Sequence, residues 1–157
     1  MDNKHALTDY AADTAVMNTY GRAEIAFVRG DGCWLESETH ERYLDCASGI
    51  AVNTLGHSHP RLVAALQDQA GKLWHTSNLY RIPGQEAVAK KLASLSGLDQ
   101  VFFCNSGAEA TEAAVKIARR AAYEKGMADR TTILCATGAF HGRTLGMLAA
   151  TDRPAFR

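Results

Sequence analysis

Apolar residues between positions 101 and 121 follow two different patterns in succession. Val101–Cys104 is a short continuous apolar run, which is typical of a buried strand. Asn105–Gly107 interrupts the run, and apolar residues then recur at helical spacing from Ala110 to Ala121. This order predicts a strand, a tight turn and a long amphipathic helix, and we expect the rest of the chain to be organised around them.

Shorter patterns on both sides complete the predicted order of elements. We predict a meander of three antiparallel strands at Ile25–Val28, Cys33–Glu36 and Arg42–Asp45, with a turn at Gly30–Gly32. Two helices follow at Arg61–Leu73 and Gly84–Ser96, the second ended by Gly97, and a second buried strand lies at Thr131–Ala136. A full helix separates the two buried strands, which favours parallel pairing and an α/β fold. Residues 1–20 predict only a weak helix or an arm.

The turn at Ser106–Ala108 has two interpretations. The first turn of a helix presents free N–H groups and the positive end of the helix dipole, so it can bind a phosphate. Ser106 and Glu109 also have the S-x-x-E spacing of a capping box, with which many ordinary helices begin. Neither a Walker loop nor a dinucleotide fingerprint is present, and this turn alone leaves both interpretations open.

A second candidate segment, Phe140–Arg143, follows the second predicted strand. Ligands of open α/β sheets collect beyond the carboxyl ends of strands, so this segment and the turn at Ser106 could face one crevice. An aromatic ring at Phe140 can stack on a flat cofactor, and Arg143 offers a fork of donors suited to a carboxylate. The alternative places Phe140 in the core and Arg143 in solvent, and the residues alone favour neither.

Composition and charge exclude several classes of function. The chain has 157 residues, 46% hydrophobic and 22% charged, which is ordinary for a soluble globular domain. The 17 basic and 17 acidic residues cancel, so we expect no nucleic-acid partner, and no apolar run approaches the length of a membrane span. The four cysteines are far apart in sequence, which argues against a disulfide framework and favours a reducing cytoplasm; we expect Cys104 and Cys135 in the core.

The segment GHSHP contains two histidines whose spacing could suggest metal ligands. His57 and His59 lie two residues apart, but no C-x-x-C pair accompanies them. Pro60 suits the first position of the following helix, with Ser58 or His59 near its cap. We therefore interpret the segment as a helix start and predict no metal site.

Five ordered segments of the chain resemble one known family. They are Leu44–Asp45 with Ser48–Val52, Gly56–Pro60, Leu73–Tyr80, Phe102–Ala110 and Ala139–Thr144. Together they resemble the class III, pyridoxal-phosphate-dependent aminotransferases, and within them the acetylornithine/ornithine aminotransferase group. The resemblance implies the N-terminal part of a fold type I transferase: a small antiparallel meander, then the start of a mostly parallel sheet with helices on both faces. Residues 1–56 would form an arm and part of the small domain, and residues 57–157 the first, incomplete part of the large cofactor-binding domain.

The resemblance also implies roles for individual residues. It assigns cofactor binding to Ser106, Gly107, Ala108, Phe140 and His141, and substrate binding to Arg143, Tyr20, Asn78 and Tyr80. The turn at Ser106 would hold the phosphate of pyridoxal 5'-phosphate, and Phe140 would stack on its pyridine ring. Arg143 would bind the substrate α-carboxylate, and the other substrate residues would line a pocket partly across a homodimer interface.

The implied reaction is the transfer of an amino group in the arginine biosynthesis pathway of the cytoplasm. The donor would be N-acetylornithine, ornithine or succinylornithine, and the acceptor 2-oxoglutarate. The family's Schiff-base lysine and the acidic partner of the pyridine nitrogen lie downstream of the Phe-His-Gly motif, and no lysine of this chain matches the former. We therefore predict an N-terminal fragment that carries no catalytic residue, is inactive alone and leaves apolar faces uncovered.

Two other functions stay open at this point. A 4-aminobutyrate or other ω-amino-acid aminotransferase would share the same segments, since the residues that discriminate these enzymes lie downstream. A function of another class is a non-catalytic module that binds a phosphate ligand or a partner subunit.

Overall fold

A computed structural model describes residues 15–156, and the chain divides into two compact units, Met1–Leu79 and Tyr80–Arg157. The predicted arm over residues 1–20 lies largely outside the described residues. The domain boundary after residue 56 stays a prediction.

The first unit contains the predicted antiparallel meander. Its strands, in the order β1-β2-β3, are Phe27–Asp31, Trp34–Ser37 and Arg42–Leu44. Asp31 pairs with Trp34, so the β1–β2 hairpin turns over two residues, and Gly32 takes a positive φ of 54° there. This backbone conformation suits glycine, which has no Cβ to clash. The meander is confirmed, although β1 begins and ends later than the hydrophobic pattern predicted.

A cluster of hydrogen bonds joins the end of the meander to the loop that follows it. The Asp45 carboxylate lies 2.7 Å from Nε2 of His57 and accepts the N–H of Ser48 at 2.8 Å. The other ring nitrogen of His57 lies 2.9 Å from the amide nitrogen of Asn53. The hydrogen bond from His57, followed by that from Ser48, holds the pKa of Asp45 below its ordinary value.

This lowered pKa makes a prediction about acid stability. A carboxyl whose pKa is depressed in the folded state stabilises the fold above its ordinary pKa, and this stabilisation is lost as the pH falls through the folded value. Asp45→Asn should therefore lower the unfolding free energy at neutral pH and flatten its decline in acid, measured by urea unfolding from about pH 7 to pH 3.

Asp68→Asn is the matched control for that experiment. Asp68 accepts a hydrogen bond from Lys72 at 2.6 Å, but both side chains are exposed, and such surface pairs contribute little to stability. We expect this variant to follow the wild-type pH profile. A decline equally steep in Asp45→Asn and wild type would contradict the role of Asp45.

A left-handed turn, α1, spans Ser48–Ala51 immediately after Asp45. All of its residues have positive φ, including Ile50 at 65° and Ala51 at 61°. Non-glycine residues rarely adopt this region, at a cost of about 1 kcal/mol or more each, so the turn needs support from its surroundings. The Asp45 carboxylate supplies part of that support because it accepts the N–H of Ser48.

The three predicted helices are present: α2 at Pro60–Ala70 in the first unit, and α3 at Pro83–Ser96 and α4 at Gly107–Glu124 in the second. The second unit also contains a short helix, α5, at Leu145–Ala150 and a 3₁₀ turn at Pro154–Phe156, neither of which was predicted. Pro60 and Pro83 occupy first positions, where the missing N–H costs nothing. Gly97, predicted to end α3, takes a left-handed φ of 72° at its C-cap.

The two buried strands predicted at Val101–Cys104 and Thr131–Ala136 require a correction. Both segments lack strand pairing, and the three-stranded meander is the only sheet in residues 15–156. A strand needs a hydrogen-bonding neighbour, and the described part of the chain provides none for either segment. The Thr131 carbonyl instead accepts two hydrogen bonds from the Arg119 guanidinium, at 3.1 and 2.9 Å.

Packing in the described residues is sparse. Met147 is the only buried hydrophobic residue among them, and apolar side chains such as Leu66, Ile117 and Leu134 are exposed. The expectation that Cys104 and Cys135 lie in the core is wrong: both are exposed, as are Cys33 and Cys46, and all four cysteines are free. The helical pattern thus predicted apolar faces correctly, and these faces are uncovered, as expected for this chain.

Candidate functional site

The site begins at the N-terminus of α4, where Ser106 is the N-cap. Its hydroxyl accepts the N–H of Glu109 at 3.2 Å and donates to the Glu109 carboxylate at 2.9 Å. The same carboxylate accepts the N–H of Asn105 at 2.9 Å. The hydrogen bond from Ser106, and then that from Asn105, holds the pKa of Glu109 below its ordinary value. The capping interaction predicted from the spacing is confirmed.

The next two amides of α4 suit an anion. As first-turn residues, Gly107 and Ala108 have no acceptor within the helix for their N–H groups. A Cβ built on Gly107 would meet no described atom within 4 Å, so the space beside this turn is open. Because Glu109 caps Asn105 and Ser106, the capping box and an anion site at the following amides are compatible.

The segment Phe140–Arg143 packs directly against this helix start. Gly142 is buried with a φ of 126°, and a Cβ there would lie 2.8 Å from Cβ of Ala108. The hydroxyl of Thr111 donates to the His141 carbonyl at 2.6 Å. The structure therefore brings together the two segments that the sequence placed after separate strands, and glycine at 142 permits the close approach.

Thr151 is a positioning residue that the sequence analysis missed. Its side chain is fully buried, and its hydroxyl oxygen accepts the His141 N–H at 2.9 Å. The hydroxyl also donates to the Met147 carbonyl at 2.9 Å, and the Gly142 carbonyl lies 3.2 Å away. The available signal was a lone threonine at the end of the apolar run Leu145–Ala150, which is weak because threonine is common on surfaces.

Phe140 and Arg143 both contact Phe156. Phe140 is 55% exposed, so the alternative that buries it in the core does not hold, and its ring meets that of Phe156 edge-on, with centroids 6.0 Å apart. The Arg143 guanidinium carbon lies 4.4 Å from the centre of the Phe156 ring. A flat ligand can therefore reach Phe140, and Arg143 is held against an aromatic face.

The remaining predicted site residues lie on exposed segments. Tyr20 and Asn78 belong to the first unit, and Tyr80 begins the second. All three are exposed, Tyr80 at 68%. Their assignment to a substrate pocket stays a prediction, as do the ligand-binding roles of the residues on α4 and at 140–143.

Residues 15–156 match the protein family described as Aminotransferase class-III. The chain belongs to this family. It is 54% identical over 139 residues to the acetylornithine aminotransferase of Agrobacterium fabrum, an alignment that covers 88% of this chain and 35% of that protein. This chain therefore spans about a third of the length of the curated class III aminotransferases that it matches.

Solved structures agree with this family and with the predicted fold class. The N-acetylornithine aminotransferase of Stenotrophomonas maltophilia matches with a TM-score of 0.73 and 43% identity, over 77% of this chain and 34% of that one. An (S)-enantioselective ω-transaminase from Thermomicrobium roseum matches with a TM-score of 0.80 and 33% identity, over 86% and 31%. No helix within residues 15–156 has the length and apolar character that crossing a membrane requires.

Proposed function

We propose that this chain carries the phosphate-binding and ring-stacking part of a pyridoxal-phosphate-dependent aminotransferase. Its substrates would be N-acetylornithine, or ornithine or succinylornithine, and 2-oxoglutarate, in arginine biosynthesis in the cytoplasm. The observation that carries the proposal is the packing of Gly142 against Ala108. This contact brings together the two motif segments, Ser106–Ala108 and Phe140–Arg143. The names of the relatives, acetylornithine aminotransferase, supply the substrate class.

The residues present suit the cofactor. The amides of Gly107 and Ala108 would bind its phosphate, and the exposed ring of Phe140 would stack on its pyridine ring. When bound, pyridoxal phosphate supplies the electron sink that stabilises loss of the substrate proton. Neither motif segment contains a lysine, so we propose that the lysine that bonds the cofactor comes from outside them.

The chain's own contribution to the reaction would be binding and orientation. Thr111 and Thr151 hold the backbone of His141 through its carbonyl and its N–H, which fixes the segment that carries Phe140 and Arg143. The Arg143 guanidinium would bind a substrate carboxylate through paired charge-assisted hydrogen bonds. We further propose that Tyr20, Asn78 and Tyr80 line a substrate pocket that lies partly across the interface of a homodimer.

A chimera tests this function. Residues 15–156 would replace the matching segment of the A. fabrum acetylornithine aminotransferase, and turnover of N-acetylornithine with 2-oxoglutarate would be measured. We expect the chimera to be active and the 157-residue chain alone to be inactive. Arg143→Gln in the chimera should lower kcat/KM by about 10- to 100-fold, since hydrogen bonds to charged groups contribute about 1.5–3 kcal/mol.

Arg61→Gln is the matched control, because Arg61 is an exposed arginine on α2. It should leave kcat/KM unchanged. A folded chimera without turnover, or an Arg143→Gln variant with wild-type kcat/KM, would contradict the proposal.

The ω-amino-acid aminotransferase is the second candidate, favoured by the similarity to the T. roseum enzyme. A panel of donors on the chimera and on any longer natural form separates the two: preference for 4-aminobutyrate would support it, and preference for N-acetylornithine would exclude it. A non-catalytic module predicts a different result, in which the 157-residue chain binds inorganic phosphate and the chimera has no turnover.

A further inference from the structure

We propose that Phe156 is a positioning residue for Arg143, and that it couples the carboxylate-binding side chain to Phe140. The inference rests on the proposed function, because it assumes that Arg143 binds a carboxylate. Its basis is a single ring that touches both side chains: the Arg143 guanidinium lies 4.4 Å from the ring centre, and the ring of Phe140 meets it at 77°.

Hydrogen bonds hold the segment that contains Phe156 close to Phe140 and Arg143. The Asp152 N–H donates to the Ala139 carbonyl, and the Gly138 N–H donates to the Asp152 carboxylate, both at 2.9 Å. These bonds fasten the segment after α5 to the residues just before Phe140. The 3₁₀ turn Pro154–Phe156 then closes with a hydrogen bond from the Phe156 N–H to the Arg153 carbonyl at 2.9 Å.

The contact with an aromatic ring restrains the Arg143 side chain. A guanidinium stacks through its face, whereas its N–H donors lie in its plane and point outward. The ring of Phe156, 4.4 Å from the guanidinium carbon, therefore restricts the positions that the Arg143 side chain can take. Because arginine has large rotamer freedom, this restriction lowers the entropy that carboxylate binding would remove.

Removal of the Phe156 ring should raise KM only for substrates whose carboxylate binds Arg143. Phe156→Leu in the chimera keeps an apolar side chain but removes the ring. We expect KM for N-acetylornithine to rise about three- to fivefold, the size of an exposed cation–π contact, with kcat changed less than about twofold. An amine donor without a carboxylate should keep its KM, and Phe156→Tyr, which keeps the ring, should restore the wild-type KM.

A measurement on the 157-residue chain tests the contact without turnover. The nuclear magnetic resonance signal of the Arg143 Nε–H should shift in Phe156→Leu and return in Phe156→Tyr, because the ring alters the local magnetic field. An unchanged Arg143 signal, or a KM that rises equally for donors with and without a carboxylate, would overturn the inference. If the signal shifts while Arg143→Gln leaves kcat/KM unchanged, the positioning is supported and the proposed function fails.

Discussion

Gly142→Ala should destabilise the chain by roughly 2–4 kcal/mol and separate the two motif segments. The backbone at Gly142 has a φ of 126°, a conformation that residues other than glycine rarely adopt. The added Cβ would also lie 2.8 Å from Cβ and 3.1 Å from Cα of Ala108. Because the positions of the Ala108 Cα and Cβ are set by the backbone of α4, the clash cannot be relieved by rotating a side chain. Urea unfolding followed by circular dichroism measures the loss.

Gly138→Ala separates the contact from the backbone strain. Gly138 also has a positive φ, of 73°, but a Cβ there would meet nothing within 4 Å. In this variant the free energy of unfolding should fall only by the cost of the left-handed conformation, about 1 kcal/mol. Equal losses for the two variants would mean that the approach to Ala108 is unimportant. In the chimera, Gly142→Ala should also weaken pyridoxal-phosphate binding, whereas Gly138→Ala should leave it close to wild type.

Thr151→Val should lower the free energy of unfolding by about 1–3 kcal/mol, although the two side chains have nearly the same shape. Valine cannot accept the His141 N–H or donate to the Met147 carbonyl, so these groups lose partners at a fully buried position. Hydrogen exchange of the His141 amide reports the loss directly and should accelerate with the fall in the unfolding free energy. Failure of that amide to accelerate would show that the hydroxyl does not hold the loop.

Two variants accompany Thr151→Val. Thr151→Ser keeps the hydroxyl and should retain most of the protection of the His141 amide. Thr132→Val makes the same chemical change at an exposed threonine, and we expect less than about 0.5 kcal/mol from it. A loss as large in Thr132→Val as in Thr151→Val would point to a general effect of valine and not to the buried hydrogen bonds.

Local patterns predicted the elements whose causes are local. The hairpin at Gly32, the proline at the start of α2 and the glycine after α3 depend on backbone preferences of a few residues. The Ser106–Glu109 capping interaction depends on a spacing of three residues, so it too was predictable. The buried strands were predicted wrongly because a strand depends on a distant partner, which an apolar run alone does not supply.

The sequence by itself determined the family, the order of helices and meander, and the two motif segments that carry the proposed cofactor site. Only the tertiary structure decided that Gly142 lies against Ala108, that Thr151 holds His141 and that Phe156 meets Arg143. The physical reason is the separation along the chain. Helix caps and turns are set by neighbouring residues, whereas these contacts join segments about 10 to 35 residues apart, whose approach depends on the packing of α4, α5 and the loops between them.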